Sequence, residues 1–345
     1  MAPLLEVDDL HMHFFTRDGV VKAVDGVTFT LEAGRTLGVV GESGSGKSVT
    51  ALSIMRLVPE PPGKVVKGDI RFKGESILGL SDKDQRRLRG NRIAMIFQDP
   101  MTSLNPVYRI GQQIAEPLRL HKGMTRKEAW AAAVELLKRV GIPQAEERAR
   151  SYPHEFSGGM RQRAMIAMAL ACGPDILIAD EPTTALDVTI QAQILELMQE
   201  IQQNTQSAII LITHDLGVVA DMADHILVMY AGKAVEYGVA DDVFYDPLHP
   251  YTWGLLESIP RHDVEEKGAL TPIKGQPPSL ITLPPGCAFS PRCAYARPEC
   301  RRKTPELVEV ERGHYSACLF AQDTDFIAQF ENRVVRVGAE PRRRG

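Results

Sequence analysis

The most informative stretch of this sequence is Val39-Val40-Gly41-Glu42-Ser43-Gly44-Ser45-Gly46-Lys47-Ser48-Val49-Thr50. It has the pattern G-x-x-x-x-G-K-S, preceded by a β-like apolar pair and followed by apolar residues that are compatible with a helix. A strand, a loop and a helix in this order distinguish a phosphate-binding loop from a glycine-rich surface turn with one exposed lysine. We therefore predict that the chain binds a nucleoside triphosphate.

Each residue type in this loop has a physical role. Glycines allow tight turns and let the backbone approach a ligand closely. Successive N–H groups then point at the start of the next helix, where the peptide dipoles favour an anion. Lys47 is expected to neutralise the β- and γ-phosphate oxygens, and the Ser48 hydroxyl to hold Mg²⁺. The predicted nucleotide-binding residues are Gly41, Glu42, Ser43, Gly44, Ser45, Gly46, Lys47, Ser48 and Val49.

Length and charge restrict the class of protein. The 345 residues are enough for two domains. A net charge of −4 gives no global basic field of the kind found in nucleic-acid-binding proteins. No apolar run approaches the ~20 residues that span a bilayer, and the N-terminus lacks the features of a signal peptide. We expect a cytosolic protein whose membrane role, if any, depends on partners.

Strand and helix patterns alternate along the chain. Residues 4–40 read as strands separated by turns, and buried strands are predicted at 93–97, 175–180 and 208–213. Residues 125–140 have helix-forming composition, within an insertion that runs to about residue 166. These alternating elements predict an α/β fold with an open, mostly parallel sheet and helices on both faces.

Acidic and basic side chains follow two of these buried strands. Asp180 suits a water-bridged Mg²⁺ ligand and Glu181 suits activation of an attacking water, although such a pair usually marks only a turn. His214 is placed to donate a hydrogen bond to a γ-phosphate, or alternatively to cap the helix that Asp215 begins.

Two further features indicate nucleotide binding only weakly when each is taken alone. Ser157 followed by two glycines leaves free N–H groups at a helix start, a second possible anion site. Phe14 and Phe15 stand before a turn and serve either as edge-strand packing or as a flat ring on which adenine stacks.

Together these motifs have the order and spacing of the ATP-binding-cassette ATPases, which residues 4–240 resemble. The resemblance implies a P-loop, RecA-like core with an antiparallel N-terminal β subdomain. It also implies a nucleotide-binding domain over 1–240, with a helical subdomain at about 99–166. The motifs that carry it are the loop at 41–48, Gln98 closing a strand, Ser157-Gly158-Gly159, Asp180-Glu181, Ala185-Leu186-Asp187 and His214.

The resemblance implies that one subunit cannot complete a nucleotide site. Ser157, Gly158 and Gly159 would bind the γ-phosphate of ATP held by the facing subunit, so that ATP joins a head-to-tail pair and hydrolysis releases it. This signature is flanked by Phe156 and Met160, where Leu and Gln are commoner in the family. We expect nucleotide binding to be kept, since the serine and the glycines carry the phosphate contact.

The resemblance also assigns catalytic roles. Glu181 would be the general base, Asp180 would hold Mg²⁺ with Ser48, and Gln98 would touch the ion and the attacking water. The remaining implied roles are γ-phosphate sensing by His214, a link between the two sites by Asp187, and adenine stacking on Phe14.

The C-terminal segment, residues 241–345, is rich in proline and reads as poor in secondary structure. Its strings His249-Pro250-Tyr251-Thr252, Leu255-Leu256 and Ile259-Pro260 resemble the C-terminal extension of the oligopeptide/dipeptide/nickel importer subfamily. This implies an importer ATPase for peptides, or for nickel complexes, peripheral on the cytoplasmic face of the membrane. Two membrane-spanning permease subunits would dock on the Gln98-to-Pro117 loop and the helical insertion. A paralogous ATPase subunit or a second copy, and indirectly an external solute-binding protein, would complete the importer.

Four of the five cysteines lie in this extension, and their spacing leaves the metal open. Disulfides are not expected in a cytosolic protein, and neither the C-x2-C pairs of structural zinc nor the commonest ferredoxin spacings are present. The resemblance implies a [4Fe–4S] cluster, with zinc or free thiols as alternatives. The four candidate ligands are Cys287, Cys293, Cys300 and Cys318.

Two other functions are alternatives to import. A cassette ATPase that acts on DNA or the ribosome usually has two cassettes, long coiled coils or basic inserts, none of which the sequence contains. A kinase-like phosphotransferase would not carry the Ser-Gly-Gly signature. We therefore expect no nucleic-acid partner.

Overall fold

The computed structural model describes residues 2–183, 188–258 and 273–331. They form two compact units. We call residues 1–5, 31–36 and 71–212 the signature unit, and residues 6–30, 37–70 and 213–345 the phosphate-loop unit.

The described strands are mostly short. In chain order they are β1 (Leu5–Thr16), β2 (Gly19–Leu31), β3 (Thr36–Val40), β4 (Gly63–Phe72), β5 (Glu75–Ser76), β6 (Ile93–Ile96), β7 (Ile176–Asp180), β8 (Ala208–Thr213), β9 (His225–Tyr230), β10 (Lys233–Val239), β11 (Val308–Glu311) and β12 (His314–Ser316).

The described α-helices are α1 (Lys47–Ile54), α2 (Asp82–Leu88), α3 (Pro100–Ser103), α4 (Ile110–Lys122), α5 (Arg126–Arg139), α6 (Ala145–Arg148), α7 (Gly158–Leu170), α8 (Val188–Thr205), α9 (Leu216–Met222), α10 (Ala240–Tyr245), α11 (Pro250–Glu257) and α12 (Thr324–Glu331). Short 3₁₀ helices cover Pro153–Glu155 and Pro298–Arg301. Across the part of the chain that the structure describes, no helix has the length and apolar character needed to cross a bilayer.

In the phosphate-loop unit, β1 lies between β2 and β4 in a separate N-terminal sheet. Apolar residues of β1 face the core in alternation, and the phase of this alternation shifts between Val7 and Leu10. Asp9, which has a positive φ of 47°, lies at the shift. A local irregularity of this kind lets a strand keep its apolar side chains buried on both sides of the bend.

The same unit holds the strand that leads into the phosphate loop. β3 is parallel to β9, and β9 is antiparallel to β10. β10 then pairs with β12, and β12 with β11, both antiparallel. The C-terminal extension therefore adds a hairpin to this sheet, whereas the sequence predicted little secondary structure there. The strands are short and partly polar, so their pattern does not reveal them.

In the signature unit, β6, β7 and β8 are parallel and wholly buried. Their continuous apolar sequences are typical of parallel strands that are covered on both faces. The helix predicted over 125–140 is α5, which begins after Thr125, where a capping box with Glu128 satisfies its first N–H groups. Parallel strands in both units, with a separate antiparallel N-terminal sheet, confirm the predicted α/β class.

Candidate nucleotide site and thiol site

The phosphate loop connects β3 to α1, and two of its glycines are required by close backbone contacts. Gly41 and Gly46 have φ values of 148° and 105°. A Cβ at Gly41 would lie 2.2 Å from the Met229 carbonyl oxygen, and one at Gly46 would lie 2.3 Å from that of Ala23. No side chain fits at either position, so the predicted glycine roles in the loop have a direct structural cause.

Lys47 begins α1 and is only 5% exposed. Its ammonium group donates hydrogen bonds to the carbonyl oxygens of Gly41 at 2.7 Å and Glu42 at 3.0 Å. The positive charge therefore lies inside the loop, at a helix start that favours anions. Ser45 Oγ is also buried there and has no hydrogen-bond partner within the described residues. A phosphate oxygen would satisfy such a donor, so the loop fits a nucleotide.

The signature unit presents two acidic residues where β7 ends. Asp180 is buried as the last residue of β7, and Glu181 follows with a left-handed φ of 47°. The Glu181 N–H donates to the Ile212 carbonyl oxygen at 2.8 Å. Its carboxylate accepts a hydrogen bond of 2.9 Å from the Gln98 side-chain amide. This hydrogen bond links Gln98 to Glu181, two of the predicted catalytic residues, and orients the Glu181 carboxylate.

The Ser-Gly-Gly signature forms an exposed helix start. Ser157 is the N-cap of α7, and its Oγ accepts a hydrogen bond of 3.3 Å from the Met160 N–H. Gly158 is exposed, Gly159 is half-buried, and the preceding Phe156 is buried. Further along α7, the buried Gln162 side chain donates to the carbonyl oxygen of Pro182 at 2.6 Å. Gln162 was not predicted from the sequence, because nothing in its local pattern shows this contact.

The remaining residues that were predicted to contact nucleotide or to link the two sites are His214, Phe14 and Asp187. His214 is exposed directly after β8, and the cap of α9 is Asp215, whose carboxylate accepts from the Gly217 N–H at 2.8 Å. Phe14 is half-buried near Gly63, whereas the ring of Phe15 is 52% exposed. Asp187 lies outside the described residues.

Comparison with known proteins gives matches along most of the chain. The family model described as "ABC transporter" matches residues 24–184, and "Oligopeptide/dipeptide transporter, C-terminal region" matches residues 235–300. The oligopeptide transport ATP-binding protein OppD of Bacillus subtilis is 55% identical over 312 residues, which cover 90% of this chain and 87% of that protein.

This chain belongs to the ABC transporter ATPases.

Other relatives agree with this assignment. OppD of Salmonella typhimurium is 55% identical over 315 residues, covering 91% of this chain and 93% of its own length. A dimeric ATP-binding cassette, MJ0796 bound to ADP and Pi, superposes with a TM-score of 0.62 at 25% identity, covering 68% of this chain and 98% of its own. CbiO1 of Clostridium perfringens, part of the transporter complex cbiONQ, gives 0.59 at 28% identity, covering 71% and 91%. The predicted family, P-loop fold and ATPase type are confirmed.

The four cysteines of this ABC ATPase's extension line one small cavity, together with aromatic side chains such as Phe289 and Phe320. Among the described residues, no three of their sulfur atoms lie mutually within 4.8 Å. Burial raises the pKa of the Cys293 thiol to about 11 and that of Cys318 to about 12. A metal bound by these thiols would therefore displace their protons at neutral pH. The fifth cysteine, Cys172, is buried outside the extension.

A second group of potential ligands lies on the N-terminal sheet. The side chains of His11, His13 and Asp25 offer ligand atoms within 4.8 Å of one another. Lys233 Nζ lies 3.2 Å from the Asp25 carboxylate, and His11 bridges Asp25 and Asp9 at 3.0 and 2.9 Å. These neighbours already satisfy the carboxylates, so we read the group as an ion-pair network.

Two residues of the extension contact the phosphate loop and were not predicted to do so. The Tyr251 hydroxyl accepts a hydrogen bond from the Glu42 N–H, and the Arg292 guanidinium pairs with the Glu42 carboxylate. These contacts span 209 and 250 residues of sequence. Only the tertiary structure shows them, since each residue alone looks like an ordinary tyrosine or arginine.

Proposed function

We propose that this chain hydrolyses ATP to power the import of di- and oligopeptides through a multi-subunit ABC importer. The observation that supports the substrate class is that residues 235–300 match the oligopeptide/dipeptide transporter C-terminal region. These residues lie in a chain of which 90% aligns with a relative named as an oligopeptide transport protein. Nickel complexes are the alternative solute.

In the proposed mechanism, the loop residues bind and orient ATP. The N–H groups at 43–48 and the Lys47 ammonium hold the β- and γ-phosphates. Ser48 and Asp180 would hold Mg²⁺, which would supply positive charge to offset the negative charge that develops on the phosphate oxygens. His214 donates a hydrogen bond to the γ-phosphate, Phe14 stacks on adenine, and Asp187 links the two nucleotide sites.

Glu181 takes the proton of the attacking water. Its carboxylate is already oriented by the Gln98 amide at 2.9 Å, which supports a role for Gln98 in positioning the same water. The exposed N-terminus of α7, with Ser157, Gly158 and Gly159, would bind the γ-phosphate held by a facing subunit. ATP then stabilises a head-to-tail pair with a paralogue or a second copy, and hydrolysis releases it.

The proposed membrane partners are two permease subunits, which would hold the chain at the cytoplasmic face and receive solute from an external binding protein. The segment from Gln98 to Pro117, predicted as a loop, instead contains α3 and the first half of α4, because Pro117 is accommodated inside α4. Large apolar side chains are exposed in this segment: Met101 at 62%, Val107 at 72% and Tyr108 at 55%. Contiguous exposed apolar patches mark contact surfaces, and Val107 and Tyr108 are adjacent in sequence. Their exposure supports docking of the permeases at this segment and the helical insertion.

We also propose that Cys287, Cys293, Cys300 and Cys318 hold a [4Fe–4S] cluster, which would cross-link the extension. The support for a shared centre is that all four thiols line the same small cavity. Four thiolates are the ligand set of a [4Fe–4S] cluster, and also of structural zinc. Anaerobically purified protein should be brown and should absorb at about 400 nm, as thiolate–iron clusters do. Colourless protein with stoichiometric zinc would refute the cluster.

The enzymatic part of the proposal is tested with Glu181→Gln. This variant keeps the hydrogen bond from Gln98 but cannot take up a proton, and general-base catalysis contributes about 10²–10⁴-fold. We expect hydrolysis to be at least about a hundredfold slower, with an ATP-dependent dimer visible by light scattering. Glu200→Gln, at an exposed residue of α8, is the matched control. Normal hydrolysis by Glu181→Gln would remove the role of Glu181.

The transport part is tested by purifying the tagged protein, with and without Glu181→Gln, from detergent-solubilised membranes. Mass spectrometry should recover two multi-spanning subunits and an ATPase partner. Recovery of ribosomes or nucleic acid instead would support the non-transport class of cassette ATPase and refute import.

A further inference from the structure

All three backbone and side-chain polar groups of Glu42 are fixed by neighbours. Its N–H donates to the Tyr251 hydroxyl at 2.7 Å. Its carboxylate accepts two hydrogen bonds from Arg292, of 2.5 Å from Nη1 and 2.9 Å from Nη2. Its carbonyl oxygen accepts from Lys47 Nζ at 3.0 Å and from the Ser45 N–H at 3.2 Å. Glu42 therefore connects the extension to the lysine that faces the phosphates.

Arg292 is held firmly enough to act as a fixed support. Its side chain is only 5% exposed, and its Nε donates to the Lys274 carbonyl oxygen at 3.1 Å. The guanidinium carbon also lies 5.8 Å from the centre of the Tyr230 ring. A bidentate pair of this kind restricts both position and orientation of the carboxylate. Removal of either partner leaves the other charge in a poorly hydrated site.

The same arginine belongs to the thiol segment. Arg292 directly precedes Cys293, whose N–H donates to the Phe289 carbonyl oxygen at 3.0 Å. The Cys287 N–H donates to the Cys300 carbonyl oxygen at 2.7 Å. The Phe289 ring, in turn, lies 5.3 Å from the Tyr251 ring. Both extension residues that contact Glu42 are therefore packed directly against the segment that bears the cysteines.

We propose that Arg292 is a positioning residue for the phosphate loop, and that through Glu42 it makes nucleotide affinity depend on metal occupancy of the four thiols. The proposal rests on the proposed ATP-binding function and on a metal centre at these cysteines. Holding the segment that bears Arg292 in one conformation costs conformational entropy. A segment cross-linked through its thiols holds Arg292 in place at a lower entropic cost than one without the cross-link. ATP, which needs the loop in place, then binds more tightly to the metal-loaded protein.

The test measures nucleotide affinity directly, with a fluorescent ATP analogue and Mg²⁺ on the full chain. Each variant is titrated as the anaerobically purified, iron-loaded protein, and again after a chelator has removed the metal. For the unsubstituted protein we expect about tenfold weaker binding after metal removal, within the range typical of coupled sites. Arg292→Lys keeps the charge but loses the bidentate geometry. It should bind the analogue more weakly when loaded, with no further loss after metal removal.

The control is Arg301→Ala, which removes an exposed arginine next to another of the cysteines. It should keep the full metal dependence of the unsubstituted protein. If Arg292→Lys does not fold, Glu42→Gln removes the ion pair from the loop side, retains the N–H contact with Tyr251, and should lose the metal dependence in the same way. A general loss of stability would not abolish the metal dependence selectively.

Three results would overturn the proposal. They are equal affinity of the unsubstituted protein with and without metal, an unchanged metal dependence in Arg292→Lys or Glu42→Gln, and a chain that holds no metal as purified or after reconstitution with iron and sulfide. Absence of nucleotide binding in every form would be a different result, since it would refute the proposed ATPase function itself.

Discussion

Residues of the phosphate loop differ in how strongly their backbone requires glycine. Gly46 and Gly44 both have positive φ, at 105° and 78°. A Cβ at Gly46 would collide with the Ala23 carbonyl oxygen, whereas one at Gly44 would meet no atom of the described residues within 4 Å. Glycine is therefore required at position 46 because a side chain would collide, whereas at position 44 it is only favoured by the backbone conformation.

Gly46→Ala should abolish nucleotide binding because the loop cannot close around a Cβ that lies 2.3 Å from a backbone oxygen. Gly44→Ala should weaken nucleotide binding by only about 1–2 kcal/mol, because an L-residue pays this penalty for the left-handed backbone conformation that the loop requires. Titration with a fluorescent ATP analogue measures both. Similar losses for the two alanines would contradict the steric explanation.

The sequence points to single residues where their proposed role depends on local spacing. Lys47, Ser48 and Glu181 stand in short motifs whose order follows from the chain itself. Tyr251 and Arg292 could not be predicted, because their partner Glu42 is 209 and 250 residues away. The contact depends on packing of the extension, which no local pattern encodes.

Among the elements, α7 shows how one side chain can have two separable roles. Ser157 caps the helix through the Met160 N–H, and it is also the proposed contact to the γ-phosphate on a facing subunit. Capping needs only a side-chain acceptor, which Asp supplies as well as Ser. Phosphate binding also requires that this side chain carry no negative charge.

Ser157→Asp should therefore keep the thermal stability of the chain but prevent the ATP-dependent dimer of the Glu181→Gln background. Ser157→Ala loses the cap, at a cost of about 1 kcal/mol, and should weaken the dimer less than Asp does. Light scattering with ATP, together with thermal unfolding, distinguishes the two roles. A stable dimer with Ser157→Asp would exclude this helix start from the nucleotide site.

Long and strongly patterned elements were predicted well, and short polar ones were not. The buried strands β7 and β8 and the capped helix α5 follow from apolar runs and a capping box. The hairpin of β11 and β12 contains buried His314 and Ser316 in place of apolar residues. The burial of His314 depends on its hydrogen bond with Glu236 of β10, so hydrophobic periodicity could not reveal the hairpin.

At the scale of the whole molecule, one buried carboxylate joins the C-terminal extension to the rest of its unit. Glu236 of β10 is wholly buried. It accepts hydrogen bonds from the N–H groups of Leu248 and His249 at 2.7 and 3.0 Å, from the Thr252 hydroxyl at 2.5 Å and from His314 Nε2 at 2.9 Å. A buried acceptor with four donors fixes the start of α11 and the hairpin at once.

Glu236→Ala should destabilise the extension by about 3–5 kcal/mol, because several buried donors lose their acceptor. The fluorescence of Trp253, 2% exposed in α11, reports this locally in a Trp130→Phe background, since the chain has only two tryptophans. Glu309→Ala, at an exposed acceptor for the Gly313 N–H, is the control. A change below about 1 kcal/mol, the size of an ordinary hydrogen bond, would show that other contacts hold the extension.

The pairing of Arg292 with Glu42 also has a consequence for biosynthesis. A ribosome adds about 5–20 residues per second, so the arginine is made roughly 12–50 seconds after the glutamate, from which it is 250 residues distant. The nascent chain therefore contains a complete G-x-x-x-x-G-K-S loop long before the residue that anchors it has been translated. Chains that terminate early, before residue 292, keep the whole phosphate-loop motif but lack this anchor.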